Sequence, residues 1–211
     1  MYTMQNSNKA NPEIWDKHYQ REKSRLIFPD ENLVRILSRI PQGETALDHG
    51  AGSGRHSVLL KSCGFQVTAC DYSAKSIETI QRTLPGVETD IIRSRNLPYE
   101  NGKFDLVVSW GVLHYNSEEE AIHIVKEIKR VLKTGGHFVG TVRSNSDTHL
   151  KVNDGQIGLT DLSGGSVRLY SLEELKVLLK DFSNVEFGYS ERSPIGKLEE
   201  RICHWIFQAK N

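Results

Sequence analysis

The chain has 211 residues, which is long enough for one domain with a substantial hydrophobic core. Its 27 lysines and arginines balance 27 aspartates and glutamates, so no overall electric field favours nucleic acid or an anionic membrane. The three cysteines are scattered, which argues against a disulfide framework and a zinc site. The first residues are polar and no long apolar run is present, which argues against a secretion signal and a membrane span. These features predict a reduced cytoplasmic protein.

Two helices are predicted before the first strand. After a polar stretch over residues 1–10, the first helix runs over residues 12–23 and carries Trp15 and Tyr19. The second helix begins at Pro29-Asp30-Glu31, where a proline and two acids are typical of a helix N-terminus.

A glycine-rich turn follows the first predicted strand, which ends at Asp48. Gly50, Gly52 and Gly54 stand at alternate positions around Ala51, and an apolar helical run begins soon afterwards. Glycines so placed let the chain turn with positive φ and let a ligand lie directly on the backbone. Because the next helix presents free N–H groups at its first turn, we expect this turn to bind a ligand with acceptor atoms.

An acid ends the second predicted strand. Asp71 follows the apolar run over residues 65–70, and in an α/β nucleotide fold a carboxylate at this place binds the two ribose hydroxyls. Ser73 is the predicted N-cap of the next helix. A short third strand is predicted over residues 87–92.

The fourth predicted strand covers residues 104–110 and leads into a loop that contains His114. Ligands of open α/β sheets sit beyond the carboxyl ends of the strands, so Ser109 and Trp110 are expected to border the ligand. Ser117 opens a capping box, and the helix behind it is predicted to stop at Gly135-Gly136, before a fifth strand over residues 137–143.

A long loop, a helix and two strands complete the predicted chain. Residues 144–170 are polar and glycine-rich, and long loops of this kind often carry function. Ser171 opens another capping box, and strands are predicted over residues 185–189 and 202–209. No repeat, low-complexity tract or second domain is evident in the sequence.

The run Asp48-His49-Gly50-Ala51-Gly52-Ser53-Gly54 resembles the first motif of the class I S-adenosylmethionine-dependent methyltransferases. Leu97-Pro98-Tyr99 and the block over residues 104–114 resemble two later motifs, so the resemblance covers about residues 45–143. It implies a single-domain, Rossmann-like α/β fold with helices on both faces of the sheet. That sheet would have seven strands, mostly parallel, with an antiparallel last strand. The implied cofactor is S-adenosylmethionine, with S-adenosylhomocysteine as the product.

The resemblance also implies roles for particular segments and residues. Residues 1–42 would form a helical lid and residues 144–170 would shape the acceptor pocket, while the aromatic residues of the first helix either close over the cofactor or only pack onto the sheet. Asp48 would approach the cofactor's ammonium group through backbone or water, and the ring of Tyr72 would lie on the adenine. The residues expected to bind the cofactor are Tyr19, Asp48, Gly50, Ala51, Gly52, Gly54, Asp71, Tyr72, Ser94, Arg95, Ser109 and Trp110.

The loop that should contact the adenine departs from the family's pattern. Arg93 stands where relatives commonly have an acid that accepts from the adenine amino group. Either the backbone around Ser94 and Arg95 reads the adenine, or Asn96 or Asp90 reaches in. The loop arginines are equally well explained as solvated surface.

His114 is the candidate catalytic base, because its loop leaves the fourth strand beside the expected methyl group and imidazole titrates near neutral pH. The alternative is that His114 only bonds the backbone. Tyr115, Arg143 and His149 are weaker candidates, each structural or substrate-positioning.

The predicted function is transfer of a methyl group to an oxygen or nitrogen atom of a small molecule, such as a sugar or a secondary metabolite. The alternatives are a protein or RNA methyltransferase and a cofactor-binding protein without catalysis. A nicotinamide oxidoreductase is disfavoured, because Arg55 stands where a dinucleotide fingerprint needs its last glycine. We expect a small-molecule acceptor, no nucleic acid, no membrane, no metal, and a monomer or homodimer.

Overall fold

The computed structural model describes residues 12–21, 26–153, 157 and 167–211. The strands are β1 (Thr45–His49), β2 (Gln66–Asp71), β3 (Glu88–Ile91), β4 (Phe104–Trp110), β5 (Leu132–Arg143), β6 (Ser183–Arg192) and β7 (Ile202–Lys210). The helices are α1 (Pro12–Gln20), α2 (Glu31–Leu37), α3 (Arg55–Ser62), α4 (Ala74–Thr83), α5 (Glu118–Val131) and α6 (Leu172–Leu178), and Leu113–Tyr115 forms one 3₁₀ turn.

All seven strands lie in one sheet, in the order β3-β2-β1-β4-β5-β7-β6. Strands β1 to β5 pair in parallel, and β7 is inserted antiparallel between β5 and β6. The predicted seven-stranded, mostly parallel sheet with an antiparallel last strand is therefore confirmed.

Alternate residues of the central strands face two separate layers of helices. Val107 and Phe138 join the core beneath α5 and α6, whereas Leu106, Val108 and Val139 join the core beneath α2 and α3. All five are fully buried, and burial of each such side chain stabilises the fold by about 2 kcal/mol. The period of two along the strands thus produces the predicted three-layer α/β fold.

The helix caps agree with the sequence, but the end of α5 does not. Both capping boxes form, at Ser117 and Ser171. The prediction that α5 reaches Gly135-Gly136 is wrong, because α5 ends at Val131. Leu132 already has extended backbone with ψ 137° and pairs with Phe104, so β5 begins five residues earlier than predicted.

Two predicted segments are described only in part. Helix α1 ends at Gln20, and residues 1–11 and 22–25 lie outside the described part of the chain, as does most of the stretch between 154 and 166. In the described part of the 144–170 region, Leu150, Ile157 and Val167 form a small apolar cluster against Trp15 and Tyr115. None of the helices among the described residues is long and apolar enough to cross a bilayer.

Candidate active site

The glycine turn lies at the carboxyl end of β1, in contact with the side chains of Tyr19 and Val112. Gly50 and Gly52 have φ values of 70° and 56°, in the left-handed region. A Cβ on Gly52 would lie 2.5 Å from the Tyr19 hydroxyl, and one on Gly50 would collide with the Val112 side chain. Only glycine fits at these two positions without strain and overlap.

Asp71 holds this turn in place from the end of β2. Its Oδ2 accepts a hydrogen bond from the Gly52 amide at 2.8 Å, and its Oδ1 accepts one from the Ser73 amide at 2.8 Å. Burial raises the pKa of Asp71, against the effect of these two bonds. Each carboxylate oxygen keeps a second lone pair, and Asp71 lines the cleft described next.

A cleft of about 610 Å³, including its open mouth, lies over the turn. Five residues expected to bind a cofactor line it: Tyr19, Gly50, Asp71, Tyr72 and Trp110. The other lining residues are Trp15, His49, Cys70, Ile92, Gly111, Val112, Tyr115 and Asn116. We call this space the cofactor cleft. A mainly apolar cleft with a few placed polar groups is the usual form of a nucleotide site.

Asp48 and Ser109 lie behind the wall of the cofactor cleft. Asp48 is buried and accepts a hydrogen bond from the Ser57 hydroxyl at 2.6 Å, which ties β1 to the first turn of α3. Burial raises the pKa of Asp48 to about 6. Ser109 is fully buried, and its hydroxyl lies 3.1 Å from Nδ1 of His49, which does line the cleft. Both side chains therefore support the residues that border the cleft.

Ala51 and Gly54 pack toward α4. Ala51 is buried beside Ile77 and Ile80, and a Cβ on Gly54 would lie 2.9 Å from Ile80 Cγ1. Gly54 also serves as the N-cap of α3, with φ 83°. The second half of the turn thus joins α3 to α4.

Residues 93–96 of the loop after β3 are exposed on the surface. Ser94 is exposed and its hydroxyl donates to the Asn96 carbonyl at 2.8 Å, while exposed Arg95 pairs with Glu119 at 2.9 Å. Asp90 accepts a hydrogen bond from the Tyr99 hydroxyl at 3.0 Å. None of these side chains lines the cofactor cleft, whose lining on this side includes Ile92 and Asn116. A role of Ser94 and Arg95 toward adenine stays a prediction.

A second, more polar cavity of about 1310 Å³, including its open mouth, adjoins the cofactor cleft. The two spaces share Trp15, Tyr19, Gly50, Trp110, Gly111 and Tyr115 as lining residues. The charged and imidazole side chains that line the second cavity are His18, Asp30, Arg55, His56, His114, Arg143, Arg192 and His204. We call this space the acceptor cavity.

His114 belongs to the acceptor cavity and is almost completely buried. Burial lowers its pKa well below the usual range, and nearby Arg143 and His204 lower it further. Its ring lies against Tyr115, with 4.2 Å between the ring centroids, and its Nδ1 has no hydrogen-bond partner among the described residues. The neutral ring therefore keeps an unused hydrogen-bond acceptor among the described residues.

The sequence alone gave no sign of several residues that line the acceptor cavity. Arg192 and His204 come from β6 and β7, which pair only in the folded chain. Arg143, a weaker candidate, does line the cavity, whereas His149 pairs with Glu200 at 2.7 Å and does not. No group of three or more histidine, cysteine or acidic side chains in the described part of the chain is arranged to hold a metal ion.

Comparison with known proteins agrees with this geometry. A family model for a methyltransferase domain matches residues 46–136. A demethylmenaquinone methyltransferase of Clavibacter sepedonicus is 35% identical over 129 residues, which cover 57% of this chain and 51% of that protein. A tRNA (carboxymethyluridine(34)-5-O)-methyltransferase of Arabidopsis thaliana is 32% identical over 146 residues, covering 64% of this chain and 35% of that protein.

Solved structures show the same fold at low sequence identity. The Burkholderia thailandensis 1,6-didemethyltoxoflavin-N1-methyltransferase, solved with its substrate and S-adenosylhomocysteine, has a TM-score of 0.68 and 17% identity, covering 100% of this chain and 98% of that chain. The chain spans about half or less of the two sequence relatives named above.

A parallel sheet, a glycine turn and an acid at the end of the next strand define an α/β nucleotide-binding protein. Together with the methyltransferase-domain match over residues 46–136, they support a class I S-adenosylmethionine-dependent methyltransferase. The cofactor of this family is S-adenosylmethionine.

Proposed function

We propose that the protein transfers a methyl group from S-adenosylmethionine to an oxygen or nitrogen atom of a small molecule. The observation that carries this proposal is the common wall of the two cavities, formed by Trp110, Gly111 and Tyr115 beside the glycine turn. A cofactor in one cavity and an acceptor in the other would meet at this wall. Walled cavities suit a small acceptor, such as a sugar or a secondary metabolite, better than a macromolecule.

The residues of the cofactor cleft fit the cofactor. The second lone pairs of Asp71 can accept from the two ribose hydroxyls, and the ring of Tyr72 can cover the adenine. A side chain in place of Gly50 or Gly52 would displace the walls of the cleft. In our proposal Asp48 and Ser109 act by holding α3 and His49 in place.

Of the two segments expected to cover the site, α1 contacts it directly and the described part of the 144–170 region packs against α1. Trp15 and Tyr19 of α1 line both cavities, and the Asp16 carboxylate accepts from the Ser73 hydroxyl at 2.5 Å. The cluster of Leu150, Ile157 and Val167 packs against Trp15 from the other side. We infer that α1 acts as the lid and that the 144–170 region shapes the acceptor cavity.

Methyl transfer requires little covalent chemistry from the protein itself. Bound S-adenosylmethionine would supply an activated methyl group to a lone pair of the acceptor and would leave as S-adenosylhomocysteine. The protein has to hold the two groups in line, and a neutral acceptor must also lose a proton. The unpartnered Nδ1 of His114, kept neutral by burial, is the group we assign to take that proton.

Calorimetry with S-adenosylhomocysteine tests the cofactor part of the proposal. We expect binding by the intact chain, and at least about tenfold weaker binding by Asp71→Ala, which loses the ribose acceptors. Asp90→Ala is the matched control, because Asp90 bonds Tyr99 outside the cleft. Binding of NAD without any response to S-adenosylhomocysteine would contradict the proposal.

A tRNA acceptor is the second candidate, favoured by the Arabidopsis thaliana relative. Transfer of labelled methyl to bulk tRNA but to no small molecule would replace the small-molecule proposal. A monomer or homodimer and a cytoplasmic location stay predictions from the sequence, and light scattering of the purified chain would settle its oligomeric state.

A further inference from the structure

One wall of the acceptor cavity is a single face of the sheet. Arg143 of β5 pairs with His204 of β7, which in turn pairs with Ser190 of β6. Residues opposite each other in a ladder point to the same face, and so do residues two apart along a strand. Thr141, Ile206 and Arg192 therefore share this face, and all six residues line the cavity. We call this face the cavity floor.

Apart from Ile206, the side chains of the floor can donate hydrogen bonds, and none of the six is a carboxylate. Arginine can only donate, and the guanidinium fork matches an oxyanion. Around the whole cavity, Arg55, Arg143 and Arg192 stand against one lining carboxylate, Asp30, and Asp147 behind the floor pairs with Arg143. Burial lowers the pKa of His56 to about 3 and that of His204 to about 4, so these two side chains add no positive charge at pH 7.

Two arginines on the floor can donate hydrogen bonds to a ligand. Arg143 is nearly buried and pairs with Asp147 through one terminal nitrogen, but its Nε has no hydrogen-bond partner among the described residues. An unpaired buried donor costs free energy unless a ligand satisfies it. Arg192 is exposed at the end of β6, and its side chain makes no hydrogen bond or ion pair within the described ranges.

We propose that the acceptor carries an oxyanion, a carboxylate or a phosphate, and that Arg143 and Arg192 hold this group on the cavity floor. The proposal rests on the function proposed above, since it names the chemical class of the molecule that enters the acceptor cavity. Arg143 supplies the buried donor and Arg192 the charge at the mouth. The rest of the acceptor then extends toward the wall shared with the cofactor cleft.

The test uses the full chain saturated with S-adenosylhomocysteine and sugars that differ only in one group. Glucuronate and glucose 6-phosphate are each compared with glucose by calorimetry. We expect at least one of the two anions to bind about tenfold or more tightly than glucose, as charge-assisted hydrogen bonds require. The anion with the larger gain distinguishes a carboxylate from a phosphate.

Two variants distinguish binding of the anion by the cavity floor from a general effect of the protein's charge. Arg192→Gln should remove most of the preference for the anion, because Arg192 has no structural partner whose loss would disturb the fold. Arg82→Gln is the control. Arg82 is also exposed, but it lies in the last turn of α4, away from the cavity floor. It should leave the preference unchanged.

The outcomes are distinct. Equal binding of anion and neutral sugar, no binding of either anion, or a preference that survives Arg192→Gln overturns the proposal. Binding of a short single-stranded RNA in place of both anions overturns it in favour of a nucleic-acid acceptor. Failure of S-adenosylhomocysteine to bind, measured in the same titration, overturns the proposed function, whereas its binding without any anion preference overturns the oxyanion proposal alone.

Discussion

The cofactor cleft and the acceptor cavity share a wall but are built in different ways. The cleft is assembled from consecutive strand ends, and its polar groups are held by short bonds such as those from Gly52 and Ser73 to Asp71. The acceptor cavity draws its donors from several separate elements, and among the described residues Arg143 and His114 each have a nitrogen without a partner. Polar groups held in fixed positions suit one fixed ligand, whereas unsatisfied ones leave the choice of ligand to a few side chains.

Gly52→Val should have the largest effect, because Gly52 borders the acceptor cavity and its new side chain would displace Tyr19, which lines both cavities. The side chain would meet the Tyr19 hydroxyl and force a valine into φ 56°, so we expect binding of S-adenosylhomocysteine to be abolished. Gly196→Val is the matched control, because Gly196 has φ 80° and no atom within 4 Å of its Cβ position. Both variants should lose thermal stability, but only the first should lose the ligand, and equal affinities in calorimetry would refute this.

His114→Gln should affect catalysis and spare the cofactor cleft. Loss of a general base lowers turnover about a hundredfold. Affinity for S-adenosylhomocysteine should be unchanged, because His114 lines the acceptor cavity and not the cleft. Turnover is measured with labelled cofactor and an acceptor found by screening, and the melting temperature shows whether the variant folds. Full turnover at saturating acceptor would remove His114 from the mechanism.

Asp48→Asn should change how stability depends on pH. The pKa of Asp48 is raised by burial to about 6 in the folded chain, so the folded state holds the proton more tightly and stability falls as pH rises from about 4 to 6. An asparagine keeps an acceptor for Ser57 but cannot ionise. The free energy of unfolding of the variant, relative to the natural chain, should therefore rise between pH 4 and pH 7 by up to about 3 kcal/mol. Urea unfolding of both proteins at pH 4 and pH 7 measures this change. If the difference in the free energy of unfolding were the same at both pH values, the raised pKa of Asp48 would be contradicted.

Arg95→Ala should have the smallest effect. The side chain is exposed and pairs with Glu119 on the surface, away from the lining of the cofactor cleft. Affinity for S-adenosylhomocysteine should match that of the natural chain in calorimetry, because any contact with adenine would come from the backbone of this loop. A tenfold or greater loss would show that the guanidinium itself reaches the adenine.

The sequence predicted the cofactor cleft far better than the acceptor cavity. Gly50, Gly52 and Asp71 lie at the ends of neighbouring parallel strands, so local pattern and the general rule for such sheets place them together. Arg192 and His204 meet Arg143 only through the register of β5, β7 and β6, which a periodic pattern does not specify. The end of α5 was misplaced because Leu132 satisfies a helical pattern as well as a strand, and pairing with Phe104 decided the outcome.

A crystal structure with S-adenosylhomocysteine would test the central claim most directly. We expect the ribose hydroxyls within hydrogen-bonding distance of the Asp71 carboxylate, the adenine against Tyr72, and the sulfur at the wall formed by Trp110, Gly111 and Tyr115, open toward His114. A cofactor bound on the cavity floor, or a sulfur turned away from the shared wall, would contradict the assignment of the two cavities.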